Sequence, residues 1–270
     1  MFPYHPSMNL IDINGVNLEV RQIDTPGVAR GASPLVFLHE GLGSVAMWRD
    51  WPDRLCAATG RTGVITSRRG YGGSDAVADV RESGRLRPDY MHREAWEVLP
   101  ALLARLGIQR PVLVGHSDGG TIALLHASRF PVEACIVMAP HVIVEDISVA
   151  AITQAREAFL NGGLRERLAR FHADVDGAFW QWNDIWLSEG FRTFDIREQC
   201  RHITAPLLAI QGVDDPYGTM AQIDDIAAHA PKTQRLKLPA CGHSPHKDQP
   251  EAVIEAIRAF LASAQTLSHP

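Results

Sequence analysis

The sequence predicts an α/β protein: a mostly parallel sheet flanked by helices, with a helical segment inserted late in the chain. Three observations carry that expectation. Short, continuously apolar runs recur at Pro34-Leu35-Val36-Phe37-Leu38, Val112-Leu113-Val114, Ala134-Cys135-Ile136-Val137-Met138-Ala139 and Pro206-Leu207-Leu208-Ala209-Ile210. Such runs mark strands buried on both faces. Segments of helical period alternate with them, and strands alternating with helices pack as a parallel sheet covered on both sides. Finally, the run from Val112 ends abruptly in Gly115-His116-Ser117-Asp118-Gly119-Gly120 and passes into a helix-compatible stretch over residues 121–130. A turn of that kind lifts a serine hydroxyl off the sheet edge and aims backbone N–H groups at it.

Taken in order, Leu10-Ile11-Asp12-Ile13 and Val16-Asn17-Leu18-Glu19-Val20 flank Asn14-Gly15. This is a hairpin signal, placed as an antiparallel edge of the sheet. The 34–38 strand opens into the glycine-rich loop His39-Glu40-Gly41-Leu42-Gly43-Ser44, followed by a helix over about 45–58 and the strand Gly63-Val64-Ile65-Thr66-Ser67. Residues 90–106 place Trp96, Leu99, Leu103 and Leu106 on one helical face, with Gly107 as the stop. Beyond the 134–139 strand the texture turns helical through residue 201, interrupted at Asn161-Gly162-Gly163. It contains the aromatic cluster Phe179-Trp180-Gln181-Trp182-Asn183-Asp184-Ile185-Trp186, whose rings divide between packing the insertion and facing a substrate. Alternation resumes with the 206–210 strand, a helix near 219–230, a strand over 234–238 and a last helix carrying Val253, Ile257, Phe260 and Leu261. The expected organisation is a core domain of residues 1–140 and 204–270 with a helical cap at 141–203. Residues 263–270 are read as a frayed tail.

Bulk properties exclude several classes. A chain of 270 residues buries a large core, and a net charge of -5 argues against nucleic-acid or anionic-membrane partners. No apolar run approaches a membrane span, and Met1-Phe2-Pro3-Tyr4-His5-Pro6 has neither the basic start nor the apolar core of a signal peptide. Cys56, Cys135, Cys200 and Cys241 are scattered without pairing or metal-type spacing. They read as reduced thiols of a cytoplasmic protein, acting as monomer or homodimer.

A serine nucleophile needs a base, and histidine is tuned for that work near neutral pH. With 12 histidines available, position decides. Cys241-Gly242-His243-Ser244 follows the last strand and reaches the sheet edge that carries Ser117. A base of this type needs a carboxylate to hold its tautomer. Gly212-Val213-Asp214-Asp215-Pro216 leaves the preceding strand at the same edge, in the chain order Ser, Asp, His. His39 and His116 flank glycine turns and read as structural. His243, His246, Cys241 and Asp248 lack zinc spacing, so no metal and no cofactor is expected. Arg68-Arg69-Gly70-Tyr71-Gly72-Gly73 lacks the Gly-Lys-Ser/Thr ending of a phosphate loop and reads as a turn.

Together, His39-Glu40-Gly41-Leu42-Gly43, Arg69-Gly70-Tyr71-Gly72-Gly73-Ser74, Gly115-His116-Ser117-Asp118-Gly119-Gly120, residues 212–215 and Gly242-His243 resemble the α/β-hydrolase superfamily over nearly the whole chain. The resemblance implies Ser117 as nucleophile, His243 as general base and Asp215 as acid, with Asp214 the alternative and Glu145 or Asp146 a further one. It implies an oxyanion hole with one donor from the Asp118 amide. The second comes from the loop after the first parallel strand, from Gly41 in preference to Leu42, since Glu40 replaces a glycine of the family pattern. Each such donor is worth about 3–4 kcal/mol of barrier. The implied activity is a serine carboxylesterase on a small-molecule ester with an apolar acyl or alcohol group. A carbon–carbon bond hydrolase, a thioesterase or a lactonase are the alternatives on the same residues, and a ligand-binding receptor is the alternative without catalysis. Serine at the turn disfavours haloalkane dehalogenases and epoxide hydrolases, which place aspartate there.

Overall fold

A computed structural model describes residues 8–28 and 31–266. The start at residues 1–6, read above as carrying no signal peptide, lies outside the described residues, as do 267–270 of the expected tail. Eight strands, β1 (Met8–Ile13), β2 (Val16–Ile23), β3 (Leu35–Leu38), β4 (Gly63–Thr66), β5 (Val112–His116), β6 (Ala134–Met138), β7 (Leu207–Gly212) and β8 (Thr233–Leu238), form one sheet. Their order is β1-β2-β4-β3-β5-β6-β7-β8, antiparallel at β1–β2 and β2–β4 and parallel from β4 to β8. The Asn14-Gly15 hairpin forms as expected. Its two turn residues have φ of 55° and 80°, the left-handed conformations that a two-residue hairpin demands.

Helices cover both faces because neighbouring strand residues point to opposite sides. Leu35, Phe37, Val112 and Val114 pack on one side with Leu55 of α1 (Trp51–Thr59) and, from the chain's end, with Val253, Ile257 and Phe260. Val36, Leu38 and Leu113 face the other side. There they meet Met91 of α2 (Tyr90–Arg93), Leu102 of α3 (Leu99–Arg105) and Ile122 and Leu125 of α4 (Asp118–Ala127). Each fully buried Leu, Ile, Val or Phe contributes about 1.5–3 kcal/mol.

The segment between β6 and β7 holds α5 (Asp146–Asn161), α6 (Leu164–Leu168), α7 (Val175–Trp186) and α8 (Arg197–Cys200). After β7 come α9 (Ala221–His229), α10 (Pro245–Asp248) and α11 (Pro250–Thr266).

Three expectations on local structure are corrected. The helix expected over about 45–58 breaks into a 3₁₀ turn, Val45–Trp48, and α1, because Arg49 has φ 55° and Pro52 supplies no donor. The 90–106 helix contains a wide π-type turn, Glu94–Val98, just before Pro100, which cannot donate to the carbonyl one turn back and crowds it. The tail expected to fray from residue 263 instead continues α11 to Thr266, behind the buried anchors Phe260 and Leu261.

Burial also sets a pH window for stability. Desolvation holds His39, His116, His126, His141, His172 and His246 below the ordinary histidine value, so they stay neutral in the fold. Unfolded histidines take up protons below about pH 6.5, and each that stays neutral when folded costs up to about 1.4 kcal/mol per pH unit below that point. Burial likewise raises the thiols of Cys56, Cys135 and Cys200, so unfolding is favoured again above about pH 8.5, where free thiols ionise. The carboxyls of Asp118 and Glu94, raised by burial, act in the opposite sense on the acid side and are outnumbered. Urea unfolding at pH 5.5, 7.5 and 9.5 is therefore expected to give the highest midpoint at pH 7.5. A midpoint that rises toward pH 5.5 contradicts this account of the buried histidines.

Candidate active site

Every residue singled out from the sequence for chemistry sits at the carboxyl edge of the parallel strands. Ser117 follows β5, central in the sheet, and takes φ 53°, ψ −119° before α4 begins at Asp118. A non-glycine residue held there stores about 1–3 kcal/mol of strain. Two close approaches hold it. A side chain at Gly115 would overlap the Gly119 carbonyl, and one at Gly119 would overlap the carbonyls of Leu38 and His39. The Ser117 N–H donates to the Met138 carbonyl at 2.9 Å, anchoring the turn to β6.

His243, in the loop after β8, places Nε2 3.0 Å from Ser117 Oγ. Its Nδ1 lies 2.9 and 2.8 Å from the two carboxylate oxygens of Asp215. Asp215 is fully enclosed, and its oxygens also accept from Gln211 Nε2 at 2.7 Å and from the Tyr217 N–H at 2.8 Å. Burial pushes this carboxyl up, but the His243 and Tyr217 hydrogen bonds outweigh it and hold it below the usual carboxylate range. Of the carboxylates weighed from the sequence, Asp215 is the one hydrogen-bonded to His243. Asp214 is exposed, Asp146 is exposed and paired with Arg192, and Glu145 is engaged by Thr219 and Gln222.

His243 is held from behind. His116 Nε2 and the His243 carbonyl are 2.7 Å apart, and the Tyr217 ring lies 4.6 Å from the His243 ring. Glu40, the residue that breaks the glycine pattern, turns its carboxylate to Lys247 of α10 (3.3 Å) and toward His116 Nδ1 (3.4 Å). Burial opposes its charge, but the Lys247 ammonium keeps it charged, well below the ordinary value. The glutamate therefore ties its loop to the histidine loop. His246 is enclosed by Trp48, Trp51 and His116.

The backbone N–H groups of Asp118, Gly41 and Leu42 have no acceptor among the described residues. The Leu42 carbonyl accepts from His172 Nε2 at 3.0 Å, and His172 Nδ1 accepts the Gly72 N–H at 3.0 Å. The 68–74 stretch is a turn, as read from the sequence, closed by Gly70 N–H to Asp75 at 2.9 Å.

The aromatic cluster divides by position on α7. Phe179 stacks on Phe159 at 3.7 Å, and the half-buried Trp180 packs edge-on to both beneath the Arg81 guanidinium at 4.1 Å. Trp182 packs directly on Gly41, and Trp186 stands edge-on to His141 at 4.9 Å. Sequence reasoning missed Arg68, Tyr90 and His172 as parts of this site, since each meets it only through the fold. Among the described residues no group of three or more His, Cys, Asp or Glu side chains is placed to hold a metal ion. Nor is any helix among them long and apolar enough to cross a membrane.

This chain is similar in sequence and in structure to several hydrolases. The mouse sn-1-specific diacylglycerol lipase ABHD11 is 26% identical over 257 residues, spanning 84% of this chain and 80% of that one. The esterase YbfF of Escherichia coli is 27% identical over 175 residues, 57% of this chain and 68% of that one. In structure, the enol-lactonase from Burkholderia xenovorans superposes with a TM-score of 0.73 at 19% identity, covering 94% of this chain and 100% of that one, a likeness of fold. Residues 35–256 match the model described as the alpha/beta hydrolase family, and the chain belongs to that family.

Proposed function

We propose that this protein is a serine hydrolase that cleaves carboxylic esters through an acyl-enzyme intermediate. The observation that carries the reading is the unbroken hydrogen-bonded path from Ser117 Oγ through the His243 ring to Asp215. In this reading His243 Nε2 takes the serine proton while Oγ attacks the ester carbonyl. Asp215, kept charged, stabilises the imidazolium and fixes Nδ1–H toward itself. The oxyanion lies against the N–H groups of Asp118 and Gly41. His243 then protonates the leaving alcohol, and a water activated by the same ring releases the acid.

Residues 141–203 act as a cap in this account, because α7 carries Trp182 onto Gly41 and Trp186 onto His141. With Tyr217 against His243, aromatic rings stand beside Gly41, His141 and His243, which favours an apolar acyl or alcohol group over a charged one. The names of the relatives, lipase and esterase, support hydrolysis of the same broad kind.

The test is turnover of p-nitrophenyl esters of short and medium chain length by purified protein. Ser117→Ala is expected to lower kcat by at least about 10⁴-fold while leaving the thermal midpoint within a few degrees. Retention of a tenth of the activity by that variant sinks the assignment of the nucleophile. Asp215→Asn is expected to lower kcat by about 10³–10⁴-fold, because an amide no longer stabilises the imidazolium or selects its tautomer. An unaffected Asp215→Asn enzyme contradicts the role given to this carboxylate. Undetectable hydrolysis across all chain lengths, with tight binding of a small ligand, replaces the enzyme with a receptor.

A further inference from the structure

We propose that Arg68 is the positioning residue that aligns both oxyanion donors and balances the buried carboxylate between them. The proposal rests on the ester-hydrolase reading above and concerns how its oxyanion site is held. Arg68 follows β4 and is buried at 7% exposure, a costly place for a cation unless its donors are used. They are used on two sides. Nη1 donates to the His39 carbonyl at 2.7 Å and Nη2 to the Glu40 carbonyl at 3.2 Å. On the other side Nη2 is 3.7 Å from Asp118 Oδ2, while the guanidinium carbon lies 4.9 Å from the centre of the Tyr71 ring.

The carbonyl contacts set a direction. The Glu40 carbonyl also accepts His39 Nδ1–H at 2.6 Å, and the backbone holds this ring by donating Arg68 N–H to His39 Nε2 at 3.0 Å. The peptide joining Glu40 to Gly41 is trans, so the Gly41 N–H points opposite to that carbonyl, away from Arg68 and His39. Pinning one end of the peptide therefore aims the other. A planar fork reaching two successive carbonyls is a task for arginine and not for lysine.

The second half of the site depends on the same group. Asp118 supplies the other N–H, and its carboxylate is buried at 1% exposure. Oδ2 accepts the Tyr90 hydroxyl at 2.6 Å, whereas Oδ1 has no hydrogen-bond partner. The Trp186 indole N–H lies near this carboxylate but likewise completes no hydrogen bond. Arg68 is the one cation within ion-pair distance of Asp118 among the described residues. Without it, an uncompensated negative charge would stand beside the place where the oxyanion develops, and the Glu40 carbonyl would lose one of its two anchors. Both effects raise the transition state more than the bound ester.

The experiment compares Arg68→Met, Arg68→Lys, Asp118→Asn and the double variant Arg68→Met/Asp118→Asn with the wild-type protein on a p-nitrophenyl ester. Thermal midpoints are recorded for each. Arg68→Met is expected to lower kcat about 100-fold, the scale of losing one oxyanion donor, with KM changed less than about threefold. The double variant is expected to regain at least tenfold over Arg68→Met, because the unpaired charge is gone while the lost fork is not restored. A purely structural arginine would give no such recovery of kcat. Arg68→Lys keeps the charge without the fork, and its kcat is expected to fall at least tenfold with a near-native midpoint. It also decides the matter should Arg68→Met fail to fold. Folded Arg68→Met and Arg68→Lys enzymes with kcat within threefold of wild type overturn the proposal alone. A wild-type protein without ester turnover sinks the hydrolase reading and this inference with it.

Discussion

The backbone of Ser117, held at φ 53° and ψ −119°, is the constraint on which the rest of the site depends. A serine does not adopt that conformation unaided, and the surrounding contacts must over-determine it. Here β6 receives the Ser117 N–H, and the Gly119 backbone presses against the end of β3. That second contact brings the start of α4 against the end of β3 and the loop that follows it. The contacts that hold Ser117 in its strained turn thus also draw together the two segments from which the proposed oxyanion donors come.

Around this turn the protein places its charges in linked groups, from the half-open Glu40–Lys247 contact to the buried Arg68 and Asp118. Glu40 joins Lys247 behind the His243 loop, Arg68 joins Asp118 and two carbonyls behind the loop after β3, and Asp215 is satisfied by Gln211, Tyr217 and His243. Each pair spans chain segments far apart in sequence. A buried ion pair adds little net stability, but removing one partner leaves a costly orphan. Such pairs suit the task of holding loops in one arrangement.

Much of this was legible before any coordinates. The apolar runs at β3, β5, β6 and β7 announce buried parallel strands, and Gly115-His116-Ser117-Asp118-Gly119 announces the turn, because both signals are local. Asp215 is preferred over Asp214 in sequence only through the family resemblance, since which of two adjacent carboxylates turns inward depends on Gln211 and Tyr217. Glu40 looked like a defect in a glycine pattern. Its partner lies at Lys247, a pairing that only the folded sheet edge creates. The same holds for Arg68, whose neighbours Asp118 and Tyr90 carry no signal pointing back to it. The α7 aromatics are visible as a cluster, but their separate positions follow from helical phase against the core, which places Trp182 on Gly41 and Trp180 half-buried under Arg81.

Covalent capture of the serine tests the central claim most directly. The protein is treated with a fluorophosphonate ester, digested and mapped by mass spectrometry. One phosphonate per chain on the peptide bearing Ser117, with loss of activity in proportion, is the predicted result. Labelling of another residue with Ser117 unmodified, or full activity after Ser117 is labelled, would contradict the account.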